Sequence, residues 1–80
     1  MDKGLEQYYL NYFDLFMTEG WRQFVEDIKE THESVNNLQN IKDSEDFYYK
    51  KGQEEILRRF LNFKDLIESS YKEAQDESVL

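Results

Sequence analysis

The chain has no cysteine and no proline, and only three glycines and one histidine in 80 residues. Without cysteine, disulfide staples and thiolate metal sites are excluded; with a single imidazole, a histidine-based metal centre is not expected either. Cysteine-free composition suits a reducing compartment. Without proline, nothing forces a break inside a helix. Gly4, Gly20 and Gly52 stand far apart, so no glycine-rich phosphate loop is present. Long apolar runs are missing too. None approaches the roughly 18 residues that a membrane-spanning helix needs, and acids interrupt the apolar positions of the N-terminal segment, unlike a secretory leader. Basic charge is the last shortage. Ten Lys and Arg against eighteen Asp and Glu leave a net charge of -8, which argues against direct nucleic-acid binding and against an anionic membrane surface. A soluble intracellular protein is the expectation.

Aromatic residues are abundant at 16%, with six Phe, six Tyr and one Trp, too many for a disordered acidic tail. The chain is one domain, residues 1–80, and a domain this small buries a modest share of its surface. Small folds are usually held by disulfides, a metal or self-association; with the first two removed, self-association is expected. Residues 1–40 carry eight acids and three bases, and residues 41–80 ten acids and seven bases. That asymmetry suits antiparallel packing of one half on the other.

The spacing predicts three helices. In the first, about 4–17, Leu5, Tyr8, Tyr9, Tyr12, Phe13 and Phe16 recur at helical intervals. This face either packs on the rest of the chain or docks a partner; Tyr8, Tyr9, Tyr12, Phe13 and Phe16 are the candidate partner-binding residues, since tyrosine is common where an apolar face meets water. Thr18 reads as the N-cap of a second helix, about 19–37, with Glu19 in its first turn. Gly20 reads as a bend, or as room for close approach beside Trp21. The second helix carries the stripe Trp21, Phe24, Val25, Ile28, Thr31, His32, Val35 and Leu38. Three Asn between Asn36 and Asn40 weaken it and favour a turn. Asp43 or Ser44 then caps a third helix, about 44–77, with the stripe Tyr49, Gly52, Ile56, Phe60, Phe63, Ile67, Tyr71 and Ala74, widened by Leu57, Leu61 and Leu66.

A short connection between two helices implies antiparallel neighbours. If the turn centres near Ile41, residues whose numbers sum to about 82 oppose one another, so that Val35 faces Phe47 and Phe24 faces the Arg58–Phe60 region. Gly52 is then expected where the facing helix comes close, and Glu26, Asp27 and Glu30 should border Lys51, Arg58 and Arg59. Trp21, Phe24, Ile28, Ile56, Phe60 and Phe63 are the expected core. Acids at Asp76 and Glu77 oppose the helix dipole and should fray the C-terminal end.

No residues here make a catalytic constellation. His32 sits at the stripe edge, where a packed imidazole is the ordinary outcome. Glu26, Glu30 and Glu33 have metal-binding spacing, but Lys29 precedes His32 by three, where a di-metal motif requires Glu; a solvated acidic face is the better reading. The chain is therefore expected to be no enzyme, with no cofactor, no small-molecule substrate and no bound metal.

Tyr12-Phe13-x-Leu15-Phe16, then Thr18-x-Gly20-Trp21, then Tyr49-x-x-Gly52-Gln53 before a Leu/Phe-rich helix, resembles small uncharacterised proteins of tailed bacteriophages, notably the short-tailed, podovirus type. The resemblance spans about Leu5 to Ala74. It implies a viral origin, no enzyme activity, and a place in the virion or the host cytoplasm. The combined expectation is an all-α, coiled-coil-like protein: a short N-terminal helix and a long antiparallel helical hairpin that forms a homo-oligomer and acts as an interaction or assembly module, with itself and another phage or host protein as partners. The alternative is an acidic inhibitor, or nucleic-acid mimic, that binds a host enzyme such as an RNA polymerase or nuclease.

Overall fold

A computed structural model describes residues 1–37, 39 and 41–79, and among these it is all-α, with no strand. Four helices follow in order: α1 (Lys3–Phe16), α2 (Glu19–Val35), α3 (Ser44–Leu61) and α4 (Phe63–Val79). Three of them begin at side-chain caps. Asp2 accepts from the Leu5 N–H at 2.6 Å, and Thr18 Oγ1 accepts from the Trp21 N–H at 3.1 Å. Thr18 also donates its hydroxyl to the Leu15 carbonyl at 2.7 Å, closing α1 while opening α2. Asp43 accepts from the Asp46 N–H at 2.8 Å, and Asp46 reaches back to the Lys42 N–H at 3.0 Å. That reciprocal pair satisfies two otherwise orphaned donors.

The segment expected as one helix from 44 to 77 is divided at Asn62, whose backbone sits at φ -91°, ψ 0°. Hydrogen bonds still run through the division, from Asn62 N–H to Arg58 O and from Leu66 N–H to Asn62 O, both 3.0 Å. The division is therefore a kink rather than a loop. At the far end α4 continues through Val79, past the point where Asp76 and Glu77 were expected to fray it. Between α2 and α3 the Asn-rich connection behaves as its composition suggests, with Asn37 Oδ1 accepting from the Gln39 N–H at 3.0 Å. Leu38, assigned above to the second-helix stripe, and Asn40 lie outside the described residues.

The chain runs up through α1 and α2 and back down through α3 and α4. α2 packs antiparallel on α3, and α1 antiparallel on α4. Both arms bend at one level, between α1 and α2 at Met17–Thr18 and between α3 and α4 at Asn62. Phe16, Trp21 and Phe63 fill the space there, with ring centroids 4.9 Å (Phe16–Trp21), 6.1 Å (Phe16–Phe63) and 6.3 Å (Trp21–Phe63) apart. From this junction the rings continue along α1 and α4 to Tyr12, Phe13, Tyr9 and Tyr71.

The result is a flat strip, 52 × 29 × 14 Å. A helix with its side chains is about 10–12 Å across, so the strip is one helix thick. Such a layer cannot enclose a core. Only Tyr9 (8% exposed) and Ile67 (6%) are buried among the apolar residues described.

Candidate interaction surface

The seam between α2 and α3 sets which side chains remain outside. On α2 the half-buried positions are Trp21, Val25, Ile28, His32 and Val35, alternating by four and three residues. On α3 they are Asp46, Lys50, Glu54, Leu57 and Leu61. The stripe expected on this helix, Tyr49, Gly52, Ile56 and Phe60, is thus turned away from the seam. Three of the six expected core residues are exposed: Ile56 by 55%, Phe60 by 45% and Phe24 by 41%. The other three, Trp21, Ile28 and Phe63, face inward but are only half-buried. The cause is rotational. α3 turns Leu57 and Leu61 toward the seam, Leu61 beside Trp21 and Val25, and this phase brings Glu54 and Lys50 inward with them.

The two charged seam residues are not left bare. Glu54 Oε1 lies 3.0 Å from His32 Nε2 across the helices and 3.8 Å from Arg58 Nε on its own helix. Lys50 Nζ lies 3.1 Å from Asp46. Asp46 is held below the usual aspartate range, chiefly by the Lys42 backbone N–H and then by the Lys50 ammonium. Glu26, expected at the rim near Lys51, Arg58 and Arg59, is taken up by Arg22 at 2.7 Å on its own helix. Arg22 also holds Glu19, and that carboxylate, followed by Glu26, raises the pKa of the guanidinium.

Gly52 does not serve close approach: a Cβ built there meets nothing within 4 Å, and the same holds at Gly20. Neither has a left-handed backbone, so both are ordinary helical residues on open faces.

Of the five aromatics named as partner-binding candidates, four turn into the chain. Tyr9 and Phe13 close on Tyr71, with centroids 5.3 and 5.0 Å away. Tyr12 meets Phe63 at 5.3 Å and Phe16 meets Trp21. Tyr8 remains 50% exposed on the outer side, its ring 5.2 Å from that of Tyr12, and its phenol is pushed up by the hydrogen bond to Tyr12. The packing alternative for α1 describes four of these side chains.

The α2–α3 layer has two unlike faces. At 100° per residue, Phe24 and Thr31 on α2 share a side with Tyr49, Gln53, Ile56 and Phe60 on α3. The packing agrees: the Phe24 and Phe60 rings lie 6.1 Å apart, and Thr31, Val35, Gln53, Ile56 and Leu57 line one shallow groove of about 200 Å³. The other side carries Arg22, Glu26, Lys29, Lys51 and Arg58, and its groove beside α4 has a floor of Phe16, Trp21, Val25 and Leu61 rimmed by the charged Arg22, Glu26, Lys29, Lys64 and Asp65. Sequence reasoning missed this bifacial arrangement by placing Ile56 and Phe60 in the seam.

Among the described residues, no three His, Asp or Glu side chains gather as a metal site, and no helix is long and apolar enough to cross a membrane. No protein-family model, no curated protein and no solved structure matches the chain.

Proposed function

We propose that the chain is a non-enzymatic helical assembly module that works as a self-associated bundle, its α2–α3 seam a short antiparallel coiled coil. The observation that carries this reading is the surface that one copy leaves open. Its accessible area is 6528 Å², whereas a compact monomer of this mass exposes about 5,200 Å². Its radius of gyration, 17.1 Å, compares with about 12 Å for a compact 80-residue domain. The excess, about 1,300 Å² per copy, is of the size that obligate homodimers bury, about 2,000–5,000 Å² over both partners. The four-three alternation along α2 supports the coiled-coil reading.

The similarity to short-tailed phage proteins would place this module in a virion or the host cytoplasm, with a phage or host protein as a further partner. The alternative, an acidic inhibitor that imitates nucleic acid, rests on the net charge of -8. Against it, Glu19, Glu26, Asp46, Glu54 and Glu68 each lie within ion-pair distance of a base or of His32, which breaks up any phosphate-like row.

Sedimentation equilibrium over about a hundredfold range of concentration tests the proposal, because self-association makes both mass and melting temperature depend on concentration. The expected result is a mass rising to a small multiple of 9.8 kDa. A mass of one chain throughout, with a constant melting temperature, overturns it.

A further inference from the structure

We infer that the face formed by Phe24, Tyr49, Ile56 and Phe60 is the seat of a second copy of this chain, which lays its own same face against it. This deepens the self-association reading and rests on it.

The sequence of α3 carries the argument. A helix with only one neighbour turns its most apolar side chains toward that neighbour, because burying charge is costly and leaving large apolar groups in water forgoes their burial. α3 does otherwise. It commits Lys50 and Glu54 to the seam with α2, where they are 22% and 18% exposed in their side chains. It keeps Tyr49, Ile56 and Phe60 outside, 68%, 55% and 45% exposed. Phe24 on α2 extends that outer row through its ring contact with Phe60. Two apolar-bearing stripes on one helix, of which the chain itself covers one, describe a helix built for two neighbours.

Charge and area together point to a second copy as that neighbour. The outer row is interleaved with Thr31 and Gln53, with Asp27 at its edge, so it offers almost no charge to attract an ionic partner. Two copies, each at -8, come together with least repulsion when they meet through this nearly neutral face and leave the Arg22–Lys51 side in water. The opposing layers, each one helix thick, then make a four-helix arrangement with an interior, related by a twofold axis so that the same patch serves both copies.

Two variants of equal charge change test this. Ile56→Glu with Phe60→Glu adds two negative charges to the apolar face, and Lys51→Glu makes the same net change on the opposite face. Sedimentation equilibrium should give a single-chain mass for the first and the parent mass for the second, with circular dichroism reporting helicity. Should the double variant unfold, a second measurement decides. The chain has no cysteine, so Gln53→Cys and Lys51→Cys each place one thiol on a chosen face. Alkylation of Gln53→Cys should slow several-fold as concentration drives association, while Lys51→Cys keeps its rate. A parent that associates while Gln53→Cys stays equally reactive at all concentrations, or while the folded double variant keeps the parent mass, overturns this face and leaves self-association standing. A parent that never associates overturns both.

Discussion

Gly52 shows how much a single position can say about what surrounds it. A mid-helix glycine costs about 1 kcal/mol relative to alanine, and sequence alone gives it a compensating purpose in close helix packing. The space around it is open, with nothing within 4 Å of where a methyl group would sit. The cost is therefore not offset within one chain, and Gly52→Ala should stabilise the fold. The expected gain is about 0.5–1 kcal/mol, read as a higher midpoint in urea with an unchanged slope. Gly52 falls between Tyr49 and Ile56 on the side of α3 turned away from the seam, so the gain is read at low concentration, where one chain stands alone. Tyr9 makes the opposite case. Its place on the apolar stripe of α1 leaves packing and docking both open, and it is the most enclosed aromatic of the described chain because Tyr71 returns to meet it. Its burial is decided by residues sixty positions away, which local pattern cannot show.

At the scale of elements, the helices and their caps could be read directly. Thr18 and Asp43 cap as their residue types and positions indicate, and the antiparallel pairing follows from the short Asn-rich connection. The phase of α3 was also present in the sequence, though in a less obvious form. Reflecting the α2 stripe, Trp21, Val25, Ile28, His32 and Val35, about position 41 lands on Leu61, Leu57, Glu54, Lys50 and Phe47. The first four of these are among the five positions half-buried on α3, although the pairing itself is displaced by about one turn, since His32 meets Glu54 and not Lys50. Hydrophobicity alone favoured the competing stripe because it holds larger side chains. Pairing with α2 decides otherwise, since this phase turns Leu57 and Leu61 into the seam, with Leu61 beside Trp21 and Val25. The Asn62 kink was hidden by the continuity of the α4 stripe, Phe63, Ile67, Tyr71 and Ala74, all of which face inward as expected. The polar layer at His32 and Glu54 then becomes a testable feature of the seam. A half-buried polar pair of this kind takes a carboxylate and an imidazole partly out of water, a cost that their contact only partly returns, so an apolar replacement of similar volume is often neutral or stabilising by about 1–4 kcal/mol. His32→Leu with Glu54→Leu should raise the midpoint of thermal unfolding with helicity retained. Glu54→Leu alone, which leaves His32 and Arg58 without their carboxylate, should gain less or lose stability. A double variant weaker than either single one would show that the pair contributes more than leucine packing can replace.

The whole molecule carries eight negative charges in excess and a surface larger than its mass requires, and these two properties pull in opposite directions. In the proposed assembly, burial of the excess surface would draw copies together, while like charge would hold them apart. Mobile salt separates the two terms, because the Debye length shrinks from about 30 Å at 0.01 M to about 3 Å at 1 M. Sodium chloride leaves the burial of Ile56, Phe60 and Phe24 almost untouched while it screens the repulsion between copies. Self-association through a nearly neutral face should therefore tighten as sodium chloride is raised, with the dissociation constant falling in sedimentation equilibrium. An acidic inhibitor that grips a basic groove behaves in the reverse sense: its complexes are steered by charge attraction and weaken as salt rises. The sign of the salt dependence thus distinguishes an assembly module from a charge mimic before any partner is known. Association that weakens with salt would mean that ion pairs, and not the apolar face of α2 and α3, hold the copies together.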